Sequence, residues 1–358
     1  MTMMNKNRPA LLALVAWFFP VGLAAQESLA ARCEATVVSL ANAQEECFAA
    51  AQAAVSAQPA LGILIAGGSP TAAGSGGLAI GALPGVSLGL RATLIGAKLP
   101  DIVTDRLPED VEAFASRYGL TIPAVSGDLT LDVFDGFAFS PGVGGVGALA
   151  LLGTSTVIPF RSLSEDFDGS RFAFGVGAQV GLIEESFITP AVAVSVVRRQ
   201  LSEMSLGSVC ASGFIGVQFD GGNTETGACT TDGDPGEIAF GLTSWSTRAV
   251  VSKHLVGFAG SLGVGYDRFA SDLDFGFRGP SIAGTSSAPT FRVRNQELEA
   301  NRWTFFGSAS SNYLVTTLSA EAGWQQGDAP IPGFRELDGS FDPREGTWFG
   351  VIGLRVAL

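Results

Sequence analysis

From about residue 60 to the C-terminus, the chain alternates between large apolar residues and small or polar ones. Between Arg171 and Leu182, Phe172, Phe174, Val176, Ala178, Val180 and Leu182 hold one parity; Ala173, Gly175, Gly177, Gln179 and Gly181 hold the other. Between Val256 and Asp267, Val256, Phe258, Leu262, Val264 and Tyr266 alternate with Gly257, Ala259, Ser261, Gly263, Gly265 and Asp267. Leu314, Thr316, Leu318, Ala320, Ala322 and Trp324 repeat the pattern, and the last segment sets Trp348, Ile352, Leu354, Val356 and Leu358 against Thr347, Val351, Gly353, Arg355 and Ala357. A period of two puts alternate side chains on opposite faces of a strand. It predicts strands near 60–68, 76–83, 86–98, 126–138, 144–157, 170–183, 187–202, 236–252, 255–272, 299–311, 314–327 and 346–358.

The links between these segments alternate in length. Short ones are Leu83-Pro84-Gly85, Phe139 to Val143, Glu184-Glu185-Ser186, Lys253-His254 and Ser311-Asn312-Tyr313. Long ones are 99–125, 158–169, 203–235, 273–298 and 328–345; only 69–75 breaks the rule. Short turns at one end and long loops at the other are the habit of up-and-down barrels. An even strand number places both barrel termini at the short-turn end. A soluble β-sandwich alternates too, with its apolar face inward, so periodicity alone leaves that alternative open.

The N-terminal part reads differently. Lys6 and Arg8, the apolar stretch from Ala10 to Phe19, and the small residues Gly22, Ala24 and Ala25 have the layout of a cleavable signal peptide over 1–25. Export to an oxidising compartment then lets the four cysteines be read as two disulfides. Residues 27–58 are alanine-rich and lack Gly and Pro, with Leu29, Cys33, Val37 and Leu40 at helical spacing. One straight helix would hold Cys33 and Cys47 ~21 Å apart, beyond the ~7 Å reach of a disulfide. Asn42 and Glu45 resemble a helix start. The reading is a helical hairpin within 26–59, about 28–40 and 43–57, stapled by Cys33–Cys47 and serving as plug, cap or simple packing element, before a barrel over 60–358. Cys210 and Cys229 would staple the long link 203–235.

Composition narrows the class. Hydrophobic residues make up 47% of the chain and charged ones only 15%, against roughly 25% charged in ordinary domains. Yet beyond the leader no apolar run is long enough for a spanning helix. The 47 glycines disfavour a helical fold. The formal net charge is −13, and Lys6, Lys98 and Lys253 are the only lysines, which argues against a nucleic-acid partner.

The leader, the glycine-rich alternating strands and the amphipathic C-terminal strand resemble the bacterial outer-membrane β-barrel class over about 60–358. The resemblance implies a closed, antiparallel, all-β barrel in the outer membrane, in contact with lipid and lipopolysaccharide, and the strand ranges above give it about twelve strands. Members often end in an aromatic residue; this chain ends in Leu358. Phe137, Phe139, Phe187, Tyr313, Trp324 and Trp348, at strand ends, are candidates for interfacial girdles.

Alternation turns Arg91, Asp128, Asp132, Arg171, Arg199, Asp267, Arg302, Glu321 and Arg355 into the lumen. Mixed charges there form either a selective constriction or a structural set of paired ions. His254, near Ser252, is the only histidine, and no third group completes a hydrolytic site; the chain is read as a non-enzyme. One histidine and four oxidised cysteines leave too few ligands for zinc. Acidic clusters at Asp101, Asp105, Glu109 and Asp110, at Glu165, Asp166 and Asp168, and at Asp232, Asp234 and Glu237 read as solvated loop charge, without the ligand spacing of a calcium loop. No cofactor is expected. The favoured function is a channel or passive transporter for small solutes; the alternative is a structural or surface-interaction barrel with a closed lumen.

Overall fold

A computed structural model describes residues 58–68, 85–137 except 101–115, 146–159, 170–210, 214–216, 236–278 except 256, 290–327 and 346–358. The wall begins with β1 (Val86–Pro100), β2 (Ser116–Phe134), β3 (Ala148–Ile158), β4 (Arg171–Ile183) and β5 (Ala191–Cys210). It continues through β7 (Gly236–Leu255), β8 (Phe258–Arg278), β9 (Thr290–Tyr313), β10 (Thr316–Gln325) and β11 (Thr347–Ala357), while the three-residue β6 (Phe214–Gly216) only flanks β5. Every neighbouring pair in the wall is antiparallel, and β1 pairs with β11 from Ser87↔Ala357 to Ile95↔Phe349. The sheet is therefore a closed ring of ten strands with no free edge along its main wall.

Closure fixes the size of the interior. Carried around the wall from Ile95 and Phe349, through Phe306, Val250 and Gly181 to Ala148, the pairing returns to β1 about 12 residues from where it started. With ~4.8 Å between strands and ~3.3 Å per residue, that stagger tilts the strands by about 40° and gives a backbone cylinder about 20 Å across. After inward side chains are subtracted, a bore of roughly 10 Å remains, the diameter of one α-helix.

The outer face meets the expectation for lipid contact. Phe174, Val176 and Leu262 are 64%, 70% and 73% exposed, and Leu88, Leu90, Leu318, Ile352 and Leu354 share that surface. Trp245, Trp303, Trp324 and Trp348 lie at one level near the long-link end. Trp324 pairs with Trp348, Trp303 with Tyr266, and Trp324 stacks on Phe305 at 6.2 Å. Arg198 rests over Trp245, 5.8 Å from the ring centre. Phe134, Phe137, Phe187, Phe258 and Tyr313 are exposed at the short-turn end. Trp303 and Tyr313 stand ten residues apart on β9, about 25 Å along the barrel axis at this tilt, the height of the apolar band of a membrane barrel. Strands β5, β7, β8 and β9 run 20, 20, 21 and 24 residues, well beyond the ~9–11 needed to cross a bilayer. They extend past the tryptophan level.

Several expectations need correction. The wall has ten strands and not about twelve. The first expected strand, 60–68, is instead the C-terminal part of a helix, α1, over 58–66. Leu61, Ile63 and Ile65 carry the parity of a strand, but Leu64 and Ala66 make the segment apolar all round, as in a helix buried on every side. The expected strand 76–83 and the helical hairpin at 28–40 and 43–57 lie outside the described residues; among the described residues α1 is the one helix found. The disulfide reading is also corrected: among the described residues the structure shows no paired cysteines. Cys210 ends β5, in register with Phe214, within a ladder and not in the open loop expected of it. Cys33, Cys47 and Cys229 lie outside the described residues.

Candidate functional site

Helix α1 stands inside the barrel. Its apolar residues Leu61, Ile63, Leu64 and Ile65 are 3%, 2%, 1% and 1% exposed. At its N-terminal end, Gln58 donates from Nε2 to Ser271 Oγ at 2.8 Å. Gly62 lies against the Phe269 ring, where a Cβ would approach Cζ to 2.5 Å. At the other end, Gly67 faces Thr93, and the Gly67 carbonyl accepts a 2.8 Å hydrogen bond from Arg91 Nη1. A cation at a helix C-terminus offsets both its unpaired carbonyls and its dipole. Ser271 lies toward the long-link end of β8, and Arg91 sits five residues from the start of β1. Helix α1 thus runs roughly along the barrel axis, its N-terminus facing the long links.

The wall provides a matching seat. At the helix level Ile95 pairs with Ile122, and Leu201 pairs with Leu242, which pairs with Ser271. With Ile158, Phe269 and Phe349 these side chains turn inward and are buried. The rule that bulky groups face lipid and small ones face the lumen therefore fails in one layer, the layer that grips α1. Gly62 supplies the close approach that a planar ring demands.

Beyond this seat, toward the short-turn end, lies a charged belt. Arg91 donates from Nε and Nη2 to the Asp128 carboxylate, the latter bond 2.8 Å long. Arg248 binds Asp267 through Nη1 at 2.7 Å and Nη2 at 2.9 Å. Asp267 Oδ2 also accepts from Thr304 Oγ1 at 2.6 Å and Gln325 Nε2 at 2.9 Å. A buried carboxylate needs such a donor set to remain charged. Arg199, Arg302 and Glu321 are buried in the same interior. Asp132, Arg171 and Arg355 are half-buried, Arg355 donating to Ser87 Oγ at 2.9 Å. All nine lumen residues expected from alternation thus occupy the inward parity. Arg248 was missed, though it shares the parity of Leu242, Ser244 and Ser252; Gln325 was missed because a strand-end glutamine carries no distinctive pattern.

His254 belongs elsewhere. It lies at the short-turn end, where its ring Nδ1–H and backbone N–H both bind Glu185, the second at 2.6 Å. Lys253 donates to the carbonyls of Ser186, Phe187 and Thr189 at 2.5, 3.1 and 3.3 Å, tying the β4–β5 turn to the end of β7. Burial pushes the Glu185 carboxyl up, but its hydrogen bonds with His254 and the neighbouring charges of His254 and Lys253 outweigh this and hold it below the ordinary glutamate value. Ser252 is turned inward and buried. Among the described residues, no three His, Cys, Asp or Glu side chains are grouped to hold a metal ion.

No family model matches the chain, and no curated protein matches it. Among solved structures it is similar to the β domain of the Bordetella autotransporter BrkA, with 11% identity and a TM-score of 0.32 over 77% of this chain and 100% of that one. It is similar to the translocator domain of the autotransporter NalP from Neisseria meningitidis, with 9% identity and a TM-score of 0.32 over 76% of this chain and 88% of that one. It is also similar to the outer-membrane protease OmpT from Escherichia coli, with 10% identity and a TM-score of 0.31 over 77% and 96%. Likeness at this level says nothing of activity. The closed antiparallel ring, the apolar exterior about 25 Å tall between two aromatic levels, and the polar, ion-paired interior are together the architecture of a strand-built membrane span. The chain has the fold of an outer-membrane β-barrel, with its own helix in the lumen.

Proposed function

We propose that this barrel is a passage for small solutes held shut by α1. The observation that carries the reading is the fit of that helix: a bore of roughly 10 Å filled by a segment whose central apolar residues are 1–3% exposed. Without α1 the lumen would open on the apolar seat at one level and, toward the short-turn end, on a mixed-charge ring over small residues, Gly175, Ser195, Ser244, Ser246 and Gly265 among them, and that ring suits a hydrated path more than a solid core. The seat is specific, with a hydrogen bond at either end and a glycine against a ring, so the closed state is the resting one.

Planar-bilayer conductance tests this. The full chain is expected to be nearly silent. A chain carrying Ile63→Asp and Leu64→Asp, which α1 cannot bury, is expected to conduct in stable steps. A second variant, with 58–66 replaced by a Gly/Ser segment of equal length, guards against misfolding of the first. Silence of both variants, with the wall intact by circular dichroism, would overturn the reading. A second reading is favoured by the direction of α1, whose N-terminus faces the long links: a closed barrel whose long-link face serves interaction outside the cell. Accessibility of an epitope near residue 45 on intact cells, with no conductance from either variant, would select it.

A further inference from the structure

We infer that the lumen wall beside α1 holds a binding site for a small oxyanion, phosphate or carboxylate, centred on Arg199. Arg199 is 2% exposed, and its Nε and Nη1 find no hydrogen-bond partner among the described residues. Its wall neighbours repeat the deficit. Arg199 pairs across the sheet with Ser244 on one side and Gly175 on the other, and Gly175 pairs with Thr154. Among the described residues, Ser244 Oγ and Thr154 Oγ1 are also buried without a partner. Arg199, Ser244 and Thr154 thus fall on one arc of the wall, and all three can donate: one guanidinium and two hydroxyls.

The charge balance points the same way. The nearest carboxylates are committed, Asp128 to Arg91 and Asp267 to Arg248. Among the described residues, Arg91, Arg171, Arg199, Arg248, Arg302 and Arg355 hold the inward parity with Asp128, Asp132, Asp267 and Glu321, six cations against four anions. That excess stands inside a chain whose formal charge is −13. A buried guanidinium without an acceptor is strongly unfavourable, and hydroxyl donors left unpaired add to the cost. An oxyanion answers both, because it brings the missing negative charge and several acceptor lone pairs to a donor-only arc. Gly175, between Thr154 and Arg199, supplies no side chain to fill the arc; a Cβ there would meet Arg199 Cγ at 2.6 Å. This inference is independent of whether the lumen conducts.

The test uses the full chain refolded in detergent, with inorganic phosphate as the probe, followed by phosphorus NMR line broadening and titration calorimetry. One phosphate is expected to bind per barrel, with acetate competing if a carboxylate suffices. Arg199→Gln is expected to weaken binding at least tenfold. The pair Thr154→Val and Ser244→Ala, which keeps the charge and the fold, is expected to weaken it several-fold. Arg198→Gln, on the outer face, should leave it unchanged. Absence of phosphate binding by the full chain, or equal binding by Arg199→Gln, would overturn the proposal. So would binding that emerges only when Glu27, Glu34, Glu45 and Glu46 are all changed to Gln, since that assigns the arc to a carboxylate of the chain itself.

Discussion

The contact of Gly62 with Phe269 gives the sharpest energetic test of where α1 sits. Phe269 is fully buried, and a methyl group at position 62 would stand 2.5 Å from its Cζ and 3.0 Å from its Cδ1. Gly62→Ala would by itself favour the helix by about 1 kcal/mol. The clash acts against this: overpacking a tight site costs about 1–3 kcal/mol, so the net change is expected to be destabilising by up to roughly 2 kcal/mol. Phe269→Leu removes the edge of the ring, leaves a gap, and should cost about 1–2 kcal/mol alone. In the double variant the methyl enters that gap. The two costs should therefore fall short of additivity by at least ~1 kcal/mol, well outside the ~0.5 kcal/mol expected of unconnected sites. Urea unfolding of the four proteins in liposomes measures this directly. If the costs add, Gly62 does not rest on Phe269, and the seating of α1 proposed above is wrong.

Arg91→Met leaves Asp128 buried without its partner and frees the α1 carboxyl end; it should destabilise by ~3–5 kcal/mol, and adding Asp128→Leu should recover much of that in the same unfolding assay. At the short-turn end, the depressed Glu185 carboxyl stabilises the turn contact above the ordinary glutamate range, and that contribution is lost as pH falls through its lowered folded value. The protection of the His254 amide, its exchange measured against the intrinsic rate at each pH, should accordingly fall in acid, and Glu185→Gln should remove that pH dependence. Trp245, Trp303, Trp324 and Trp348 share one level near the bilayer surface, so bromine close to the lipid headgroup should quench tryptophan emission more than bromine at the chain end; the reverse order would place the barrel wrongly in the membrane.

Most of the wall could be read from the sequence because a half-lipid, half-lumen strand is forced to alternate, and Arg171–Leu182 does so without exception in its large apolar positions. Its extent beyond the membrane was less visible. Strand β5 continues to Cys210, past the expected end at 202, because pairing with β7 can go on where lipid no longer imposes a pattern. The helix was misread for the opposite reason. Leu61 to Ala66 is buried on all sides, so no face had to be polar, and a short uniformly apolar run carries no period to distinguish helix from strand. The inward charges were found by parity, but their pairing was not: Arg91 and Asp128 belong to different strands, and only the register, Gly89↔Asp128 beside Arg91↔Ser126, brings them together. The apolar seat formed by Ile95, Ile122, Leu201, Leu242 and Phe269 could not be anticipated while α1 was taken for a strand, since those residues turn inward only because there is something apolar to receive.

The central claim, a helix inside a lumen, is tested most directly by cross-linking. A Cβ at Gly68 would lie 3.3 and 3.4 Å from the two Val351 methyl carbons, within disulfide reach of an inward wall position. The backbone there is left-handed, at φ 78°, which costs a side chain roughly 1–2 kcal/mol, and the new Cβ would stand 2.7 Å from Arg91 Nη1, the end of a flexible side chain that has to shift. In a chain with Cys33→Ser, Cys47→Ser, Cys210→Ser and Cys229→Ser, the pair Gly68→Cys and Val351→Cys should close an intramolecular disulfide nearly completely. Gly68→Cys with Ile352→Cys, which faces outward at 61% exposure, should stay reduced and open to alkylation. Equal cross-linking of both pairs, or free thiols in the first, would contradict a helix within the barrel.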